Sequence, residues 1–271
     1  MSVAPNYLTR PDGSKLAYHR TSQNSTPDDS AVHHRTGADS RKPTGVVFLG
    51  GFMSDMGGTK AIALQDWAQK AGRDFLRFDY FGHGQSDGPF TDGCISRWAD
   101  DAIAMIDEMT DGPQLLVGSS MGGWVMTLAA LARPERMAGL VGIAPAPDFT
   151  EKLMWPNFSD EIKKQILEDG KYEQPSEYDP EPYTITKKLI EDGRENLLLD
   201  APIPLHMPIR VLQGQEDPDV PWTHALKYVE MLESKDVEIT LVKHGDHRLS
   251  EPGNLALLIR TVEALLAEIE Q

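Results

Sequence analysis

Short apolar runs alternate with amphipathic stretches along most of the chain. Runs typical of buried strands occur at 46–49, 75–80, 114–117, 138–144, 209–213 and 237–242. Apolar residues recur at helical spacing in 59–71, 95–109, 124–130, 221–233 and 252–270. Strands that alternate with helices form a mostly parallel sheet with helices on both faces. The pattern therefore predicts a single large α/β domain.

Two segments near the N-terminus differ from this alternation. Residues 7–21 alternate between apolar and polar around Pro11-Asp12-Gly13, which predicts a β-hairpin. Residues 22–44 are polar and almost free of aliphatic side chains, so we expect a flexible loop. The pair His33-His34 in this loop could bind a metal, but a solvated loop is the favoured interpretation.

The segment 148–200 interrupts the strand–helix order. It contains no convincing strand pattern and carries 14 acidic against 7 basic residues. We expect a mainly helical cap over the site, inserted into a core formed by 1–147 and 201–271. The alternative is a long surface segment whose aromatic side chains serve only in ordinary packing. The aromatic side chains in question are Trp155, Phe158, Tyr172, Tyr178 and Tyr183.

Composition and charge exclude several classes of partner. The 271 residues carry a net charge of −16, which repels nucleic acid and anionic lipid, so we expect no nucleic-acid partner and no stable membrane association. The single Cys94 fits a reducing compartment, and no apolar run is long enough for a membrane span. Residues 1–10 lack the apolar core of a secretory signal, so we expect a cytoplasmic protein.

The segment Gly118-Ser119-Ser120-Met121-Gly122 lies between a predicted strand and a predicted helix. Strand, G-x-S-x-G and helix form the nucleophile elbow of serine hydrolases. The crowded turn needs glycine two positions before and two after the nucleophile. Ser120 meets this requirement, whereas Ser119 would need glycine in place of Val117 and Met121. Ser120 is therefore the predicted nucleophile.

A serine nucleophile needs an imidazole base that a carboxylate orients, and in this arrangement the chain order is Ser, acid, His. Asp217 follows a late strand and is the predicted acid, with Glu216 and Asp219 as rivals. His247 follows the last strand and is favoured over His244, because Gly245 lets the loop turn back over the strand ends.

An oxyanion also needs preorganised donors. We expect the backbone N–H groups of Met121 and Phe52 to supply them, and we expect Gly51, Trp155 and Phe158 to line the substrate pocket. His83, in a glycine-rich turn, is expected to shape that turn rather than act as a base. No Walker motif and no Cys/His/carboxylate spacing for a metal is present, so we predict neither cofactor nor metal.

These residues resemble the α/β-hydrolase superfamily across nearly the whole chain. The segment 78–88 is similar to its G-H-G-x-S motif, and 214–221 is similar to its acid loop. A closer resemblance, to a branch of mitochondrial acyl-protein thioesterases that also hydrolyse acyl glucuronides, lies at 56–61, 118–124, 208–210 and 243–248. The resemblance implies a triad of Ser120, Asp217 and His247.

The leading hypothesis is a serine hydrolase that cleaves carboxylic esters or thioesters through an acyl-enzyme on Ser120. Its partner would be a small-molecule acyl ester or thioester, or an S-acylated protein. One alternative is a carbon–carbon bond hydrolase of the same fold. Another is a non-catalytic ligand-binding protein, against which the intact Ser, Asp and His argue.

Overall fold

Ten strands and seven α-helices occupy the part of the chain that the structure describes. The structure is a computed structural model and describes residues 4–22, 43–175 and 182–271. The strands are β1 (Asn6–Thr9), β2 (Lys15–Thr21), β3 (Gly45–Leu49), β4 (Phe75–Phe78), β5 (Gln114–Ser119), β6 (Met137–Ile143), β7 (Lys171–Gln174), β8 (Tyr183–Thr186), β9 (Ile209–Gly214) and β10 (Val237–Val242). The helices are α1 (Thr59–Ala71), α2 (Ile95–Met109), α3 (Met121–Ala132), α4 (Asp160–Asp169), α5 (Lys187–Glu195), α6 (Trp222–Met231) and α7 (Pro252–Ile269).

Eight of these strands form one sheet in the order β1-β2-β4-β3-β5-β6-β9-β10. The first two pairings, β1 with β2 and β2 with β4, are antiparallel, and the five that follow are parallel. The central strands β3 and β5 are buried along their whole length, which explains their unbroken apolar sequence. Their carboxyl ends lie side by side, with Leu49 opposite Gly118. The loops that follow both strands therefore meet at one edge of the sheet.

Helices cover both faces of this sheet. Trp98 of α2, Trp124 of α3 and Tyr228 of α6 pack in the core on one face. Trp67 of α1 and Val262 of α7 pack in the core on the other face. The predicted α/β class and helix placement are therefore confirmed, as is the N-terminal hairpin. Most of the predicted loop 22–44, including His33-His34, lies outside the described residues.

The segment 148–200, which we call the inserted segment, lies between β6 and β9. It begins with helical turns at Thr150–Met154 and Trp155–Asn157 and continues with α4, β7, β8 and α5. The expectation that it contains no strand is wrong, because β7 and β8 pair as an antiparallel hairpin. Strand β7 is polar and alternates only between exposed and half-buried positions, so its sequence carries no apolar signal.

A single carboxylate ties the two ends of the inserted segment together. Asp148 is buried and accepts hydrogen bonds from the backbone N–H groups of Leu198 and Leu199, both at 2.8 Å. Lys152 and Asp200 form an ion pair of 2.6 Å at the same place. The two ends of the inserted segment are therefore held together at its base. Across the described ranges, no helix combines the length and the apolar character that a membrane span needs.

Candidate active site

The turn between β5 and α3 holds Ser120 in strained backbone geometry. Its φ is 55° and its ψ is −120°, a combination that non-glycine residues rarely adopt. Three backbone hydrogen bonds fix it there: its N–H donates to Ile143, and its carbonyl accepts from Gly123 and Ala146. Strain held by surrounding contacts is common where a side chain must be presented for chemistry.

Close backbone contacts explain the glycines on either side of Ser120. A Cβ on Gly118 would lie 2.4 Å from the carbonyl oxygen of Gly122. A Cβ on Gly122 would lie 2.2 Å from the carbonyl oxygen of Leu49 and 2.5 Å from that of Gly50. Both distances are far below van der Waals contact, so only glycine fits at these two positions.

The structure brings Ser120, His247 and Asp217 into one hydrogen-bonded chain. Ser120 Oγ lies 3.0 Å from His247 Nε2, and His247 Nδ1 lies 2.8 Å from Asp217 Oδ2. The Asp217 side chain is fully buried, while that of His247 is 17% exposed. Because a carboxylate accepts a hydrogen bond, it favours the tautomer with the proton on Nδ1, which leaves Nε2 free to accept the hydroxyl proton.

The Asp217 carboxylate is held by the turn that follows β9. Its Oδ1 accepts the N–H groups of Asp219 and Val220 at 2.9 and 2.8 Å, and Oδ2 also accepts from the Gln213 amide at 3.1 Å. Its orientation toward His247 is therefore fixed by three donors other than the imidazole. Such support is what a precise catalytic geometry requires.

The rival residues do not take part in this hydrogen-bonded chain, although Asp219 lies beside it. Glu216 and His244 form a pair with each other, 2.8 Å apart, and their side chains are 62% and 76% exposed. Ser119 is buried at the end of β5. A carboxylate oxygen of Asp219, one of Asp217 and a ring nitrogen of His247 lie within 4.8 Å of one another, close enough to hold a metal ion. Asp217 and His247 already satisfy each other, so these three residues do not form a site that needs an ion.

Ser120 opens onto a large cavity between the sheet and the inserted segment. Its volume is about 770 Å³, which is ample for a small organic ligand. Gly51, Phe52 and His247 line it on the side of the sheet. The inserted segment contributes a largely apolar wall, which also holds the polar side chains of Asn157 and Gln174. The apolar and aromatic residues of this wall are Phe149, Leu153, Met154, Phe158, Ile162, Tyr172 and Tyr183.

Comparisons with known proteins agree with this fold. Residues 41–203 match the family described as serine aminopeptidase, S33. Over 265 residues the chain is 36% identical to the human protein named palmitoyl-protein thioesterase ABHD10, mitochondrial. The aligned region covers 97% of this chain and 80% of that protein. The chain belongs to the α/β hydrolases. The resemblance to their acyl-protein thioesterase branch is thereby confirmed.

Two solved structures of α/β hydrolases superpose on nearly the whole chain. A putative hydrolase from Agrobacterium vitis S4 has a TM-score of 0.87 and 38% identity, and covers 98% of this chain and 100% of its own. Mouse α/β-hydrolase domain-containing protein 10 has a TM-score of 0.85 and 34% identity, with the same coverage. Both extend over the inserted segment as well as the sheet.

Two backbone segments of the α/β-hydrolase fold flank the nucleophile elbow. Met121 is the first residue of α3, so its N–H has no acceptor within the helix. The loop after β3 passes close to Ser120, since a Cβ on Gly51 would lie 3.5 Å from the Ser120 Cβ. Phe52 follows in that loop, and Met53 after it has a strained φ of 53°. The two predicted oxyanion donors therefore belong to segments on either side of Ser120.

Four aromatic side chains hold the Phe52 loop in place, and the sequence analysis singled out only Tyr183 among them. The Phe52 ring makes edge-on contacts with Phe90, Trp98, Phe149 and Tyr183, with centroids 5.1 to 6.1 Å apart. His83 packs against Phe90 and Trp98 at 5.1 Å. Burial lowers the pKa of His83 to about 4, so the ring is neutral at pH 7. Its location beneath this cluster fits a role in shaping the loop.

The three predicted pocket residues differ in position. Gly51 and Phe158 line the cavity, but Trp155 is not among its lining residues. The Trp155 ring packs behind Phe158, with 6.5 Å between centroids, and the Arg194 guanidinium lies 4.6 Å from its centroid. A sequence pattern names aromatic residues in a segment but does not tell which of two neighbours faces inward.

Proposed function

We propose that this α/β hydrolase is a serine hydrolase that cleaves carboxylic esters or thioesters through an acyl-enzyme on Ser120. The observation that carries the proposal is the continuous chain of contacts from Asp217 through His247 to Ser120 Oγ. The thioesterase name of its mammalian relatives supports the choice of acyl substrates. A small-molecule acyl ester or thioester, or an S-acylated protein, is the proposed substrate.

Each residue has a defined role in the proposed reaction. Ser120 Oγ attacks the acyl carbon while His247 Nε2 takes the hydroxyl proton, and Asp217 stabilises the imidazolium that forms. The negative charge on the carbonyl oxygen is stabilised by the N–H groups of Met121 and Phe52. The carbon–sulfur or carbon–oxygen bond then breaks, and His247 gives the proton to the leaving thiol or alcohol.

A second half-reaction restores the enzyme. Water attacks the acyl group on Ser120, His247 accepts a proton from that water, and the carboxylic acid is released with the serine hydroxyl regenerated. Atoms and charges balance without a metal or redox cofactor, so the proposed reaction needs only water and the groups of this chain.

We also propose that the inserted segment acts as a cap that selects the acyl group, over a core of residues 1–147 and 201–271. Its apolar wall faces Ser120 across the cavity and suits an aliphatic or aryl acyl chain. A cytoplasmic location stays a prediction, because the mammalian relatives are designated mitochondrial.

The test is hydrolysis of p-nitrophenyl esters and acyl thioesters of increasing chain length. We expect turnover by the wild-type enzyme and a loss of at least about three decades of kcat in Ser120→Ala. Ser119→Ala is the matched control and retains turnover. Full activity of Ser120→Ala would refute the proposal.

A further inference from the structure

The glycine-rich turn at 82–88 has no part in the proposed chemistry, yet it shares a buried carboxylate with the Phe52 loop. This carboxylate belongs to Asp79, which directly follows β4 and is 1% exposed. Its Oδ1 accepts the Met56 N–H at 2.6 Å, and its Oδ2 accepts the Gln85 N–H at 2.8 Å. One side chain therefore joins two loops that are distant in the sequence.

A second side chain from the same end of β4 holds the carbonyl group of Met56. Arg77 Nη1 donates to the Met56 oxygen at 2.6 Å, and Arg77 Nε donates to the Gln65 amide oxygen of α1 at 2.6 Å. Arg77 and Met56 are both buried. Breaking a hydrogen bond to a buried polar group is costly, so these bonds hold the backbone firmly. We call the pair Arg77 and Asp79 the Met56 clamp.

The Met56 clamp fastens the far end of the Phe52 loop. The near end is fixed at Leu49, which pairs with β5 in the sheet. Between these two ends, the Gly51 carbonyl oxygen accepts hydrogen bonds from the N–H and the Oγ of Ser54, at 3.2 and 2.8 Å. Phe52 lies inside this closed turn. The position of the Phe52 N–H therefore depends on where the clamp holds Met56.

The glycine-rich turn packs directly against the same carboxylate. A Cβ on Gly84 would lie 2.3 Å from Asp79 Oδ2, so the turn needs glycine at this position. Ser86 Oγ donates to the Asp79 carbonyl oxygen at 2.6 Å and accepts the Ala17 N–H of β2 at 2.8 Å. Asp79 is thus enclosed by the backbone of several segments, which leaves its carboxylate one orientation.

The surroundings of Asp79 suit a carboxylate and not an amide of the same shape. Each of its oxygens accepts a backbone N–H, and the charge of Arg77 adds to them. Burial raises the pKa of Asp79, and these three contributions oppose the rise. In Asp79→Asn, an NH2 group replaces one acceptor oxygen and would face a backbone N–H, so at least one of the two loops loses its hydrogen bond.

We propose that Asp79, together with Arg77, is a positioning residue that sets the place of the proposed oxyanion donor, the Phe52 N–H, relative to Ser120. The clamp acts through Met56 and the Phe52 loop and does not touch the reacting atoms. The inference rests on the proposed acyl-enzyme function. It adds to that function a buried pair outside the cavity on which the geometry of the oxyanion site depends.

The test compares Asp79→Asn with the wild-type enzyme in two assays. The first is p-nitrophenyl butanoate hydrolysis, and the second is inhibition by a trifluoromethyl ketone, whose adduct with a serine carries a negatively charged oxygen. A misplaced oxyanion donor affects the states in which that charge has developed and spares substrate binding. We expect kcat to fall about ten- to a hundredfold, the inhibitor to bind more weakly by a similar factor, and KM to stay within about twofold.

Asp101→Asn is the matched control for the loss of a buried carboxylate. The Asp101 side chain is fully buried, accepts the Phe81 N–H at 2.9 Å and faces Arg10 and Arg97, so its partners lie outside the Phe52 loop. This variant should unfold at lower urea concentration, as a merely structural change does. Its kcat and its inhibition constant should stay near the wild-type values.

Arg77→Met tests the other half of the clamp and carries the test if Asp79→Asn does not fold. It removes the hydrogen bond to the Met56 oxygen and retains an apolar side chain of similar length. We expect the same pattern as in Asp79→Asn: a lower kcat, weaker inhibition by the trifluoromethyl ketone and little change in KM.

Three results would overturn the inference. One is a wild-type kcat in folded Asp79→Asn or in Arg77→Met. Another is a loss confined to KM, with an unchanged inhibition constant. The third is an Asp101→Asn variant that loses kcat and inhibitor affinity as much as Asp79→Asn does. A wild-type enzyme that hydrolyses neither esters nor thioesters would instead refute the proposed function itself.

Discussion

A methyl group added at Gly122 should disable the site, because Gly122 is packed against the backbone of the neighbouring strand end. The added Cβ would lie 2.2 Å from the Leu49 carbonyl oxygen and 2.5 Å from the Gly50 carbonyl oxygen. Ordinary contact begins near 3.4 Å, so the backbone must move by more than 1 Å. Neither neighbour is a side chain that can rotate away.

Both segments that would have to move belong to the proposed machinery. One carries Ser120 and Met121, and the other leads from Gly50 to Phe52. A displacement of about 1 Å in a catalytic geometry can reduce the rate about a hundredfold. Overpacking of this kind also costs about 1–3 kcal/mol in the free energy of unfolding. We therefore expect Gly122→Ala to lose about two decades of kcat/KM and to unfold at lower urea concentration.

The assay combines p-nitrophenyl acetate turnover with urea unfolding followed by circular dichroism. Gly253→Ala is the matched control, since a Cβ at Gly253 in α7 meets no atom within 4 Å. That variant should keep its activity, and its free energy of unfolding should rise by up to about 1 kcal/mol, because alanine has a higher helix propensity than glycine. Wild-type turnover and stability in Gly122→Ala would refute the argument from backbone crowding.

Three further predictions concern pH, the acid and the cap. His83 has a folded-state pKa of about 4 against 6.5 when unfolded, so the unfolded chain takes up the proton first and stability falls as pH drops below 6.5. Urea unfolding should show that His83 lowers the free energy of unfolding by about 2 kcal/mol between pH 7 and pH 5. In His83→Phe this contribution to the pH dependence should be absent. Asp217→Ala should reduce kcat by about four decades while Glu216→Ala stays near wild type; the reverse order in p-nitrophenyl acetate kinetics would show that the acid is misassigned. Phe158→Ala should change kcat/KM for long acyl esters far more than for acetyl esters, whereas a uniform loss across the series would argue against acyl selection by the inserted segment.

The nucleophile elbow was predictable because its physical constraints are local. The turn tolerates only glycine at 118 and 122, and the sequence shows both glycines around Ser120. The strand–helix order was predictable for a similar reason. A strand buried on both faces needs a continuous apolar run, and β3 and β5 have such runs.

Other features depend on contacts between distant parts of the chain. Glu216 and Asp217 are adjacent in sequence, and only the path of the turn after β9 buries one and exposes the other. Strand β7 has too little apolar alternation to be recognised, and it forms because β8 pairs with it.

The central claim is that Ser120 is the residue that carries the acyl group. The most direct test is covalent labelling of the wild-type chain with a fluorophosphonate, followed by peptide mass spectrometry to locate the adduct. We predict a single adduct on Ser120, one per chain, and no adduct in His247→Ala, because the base that activates the hydroxyl is missing. An adduct on Ser119, or no adduct on an active wild-type enzyme, would contradict the account.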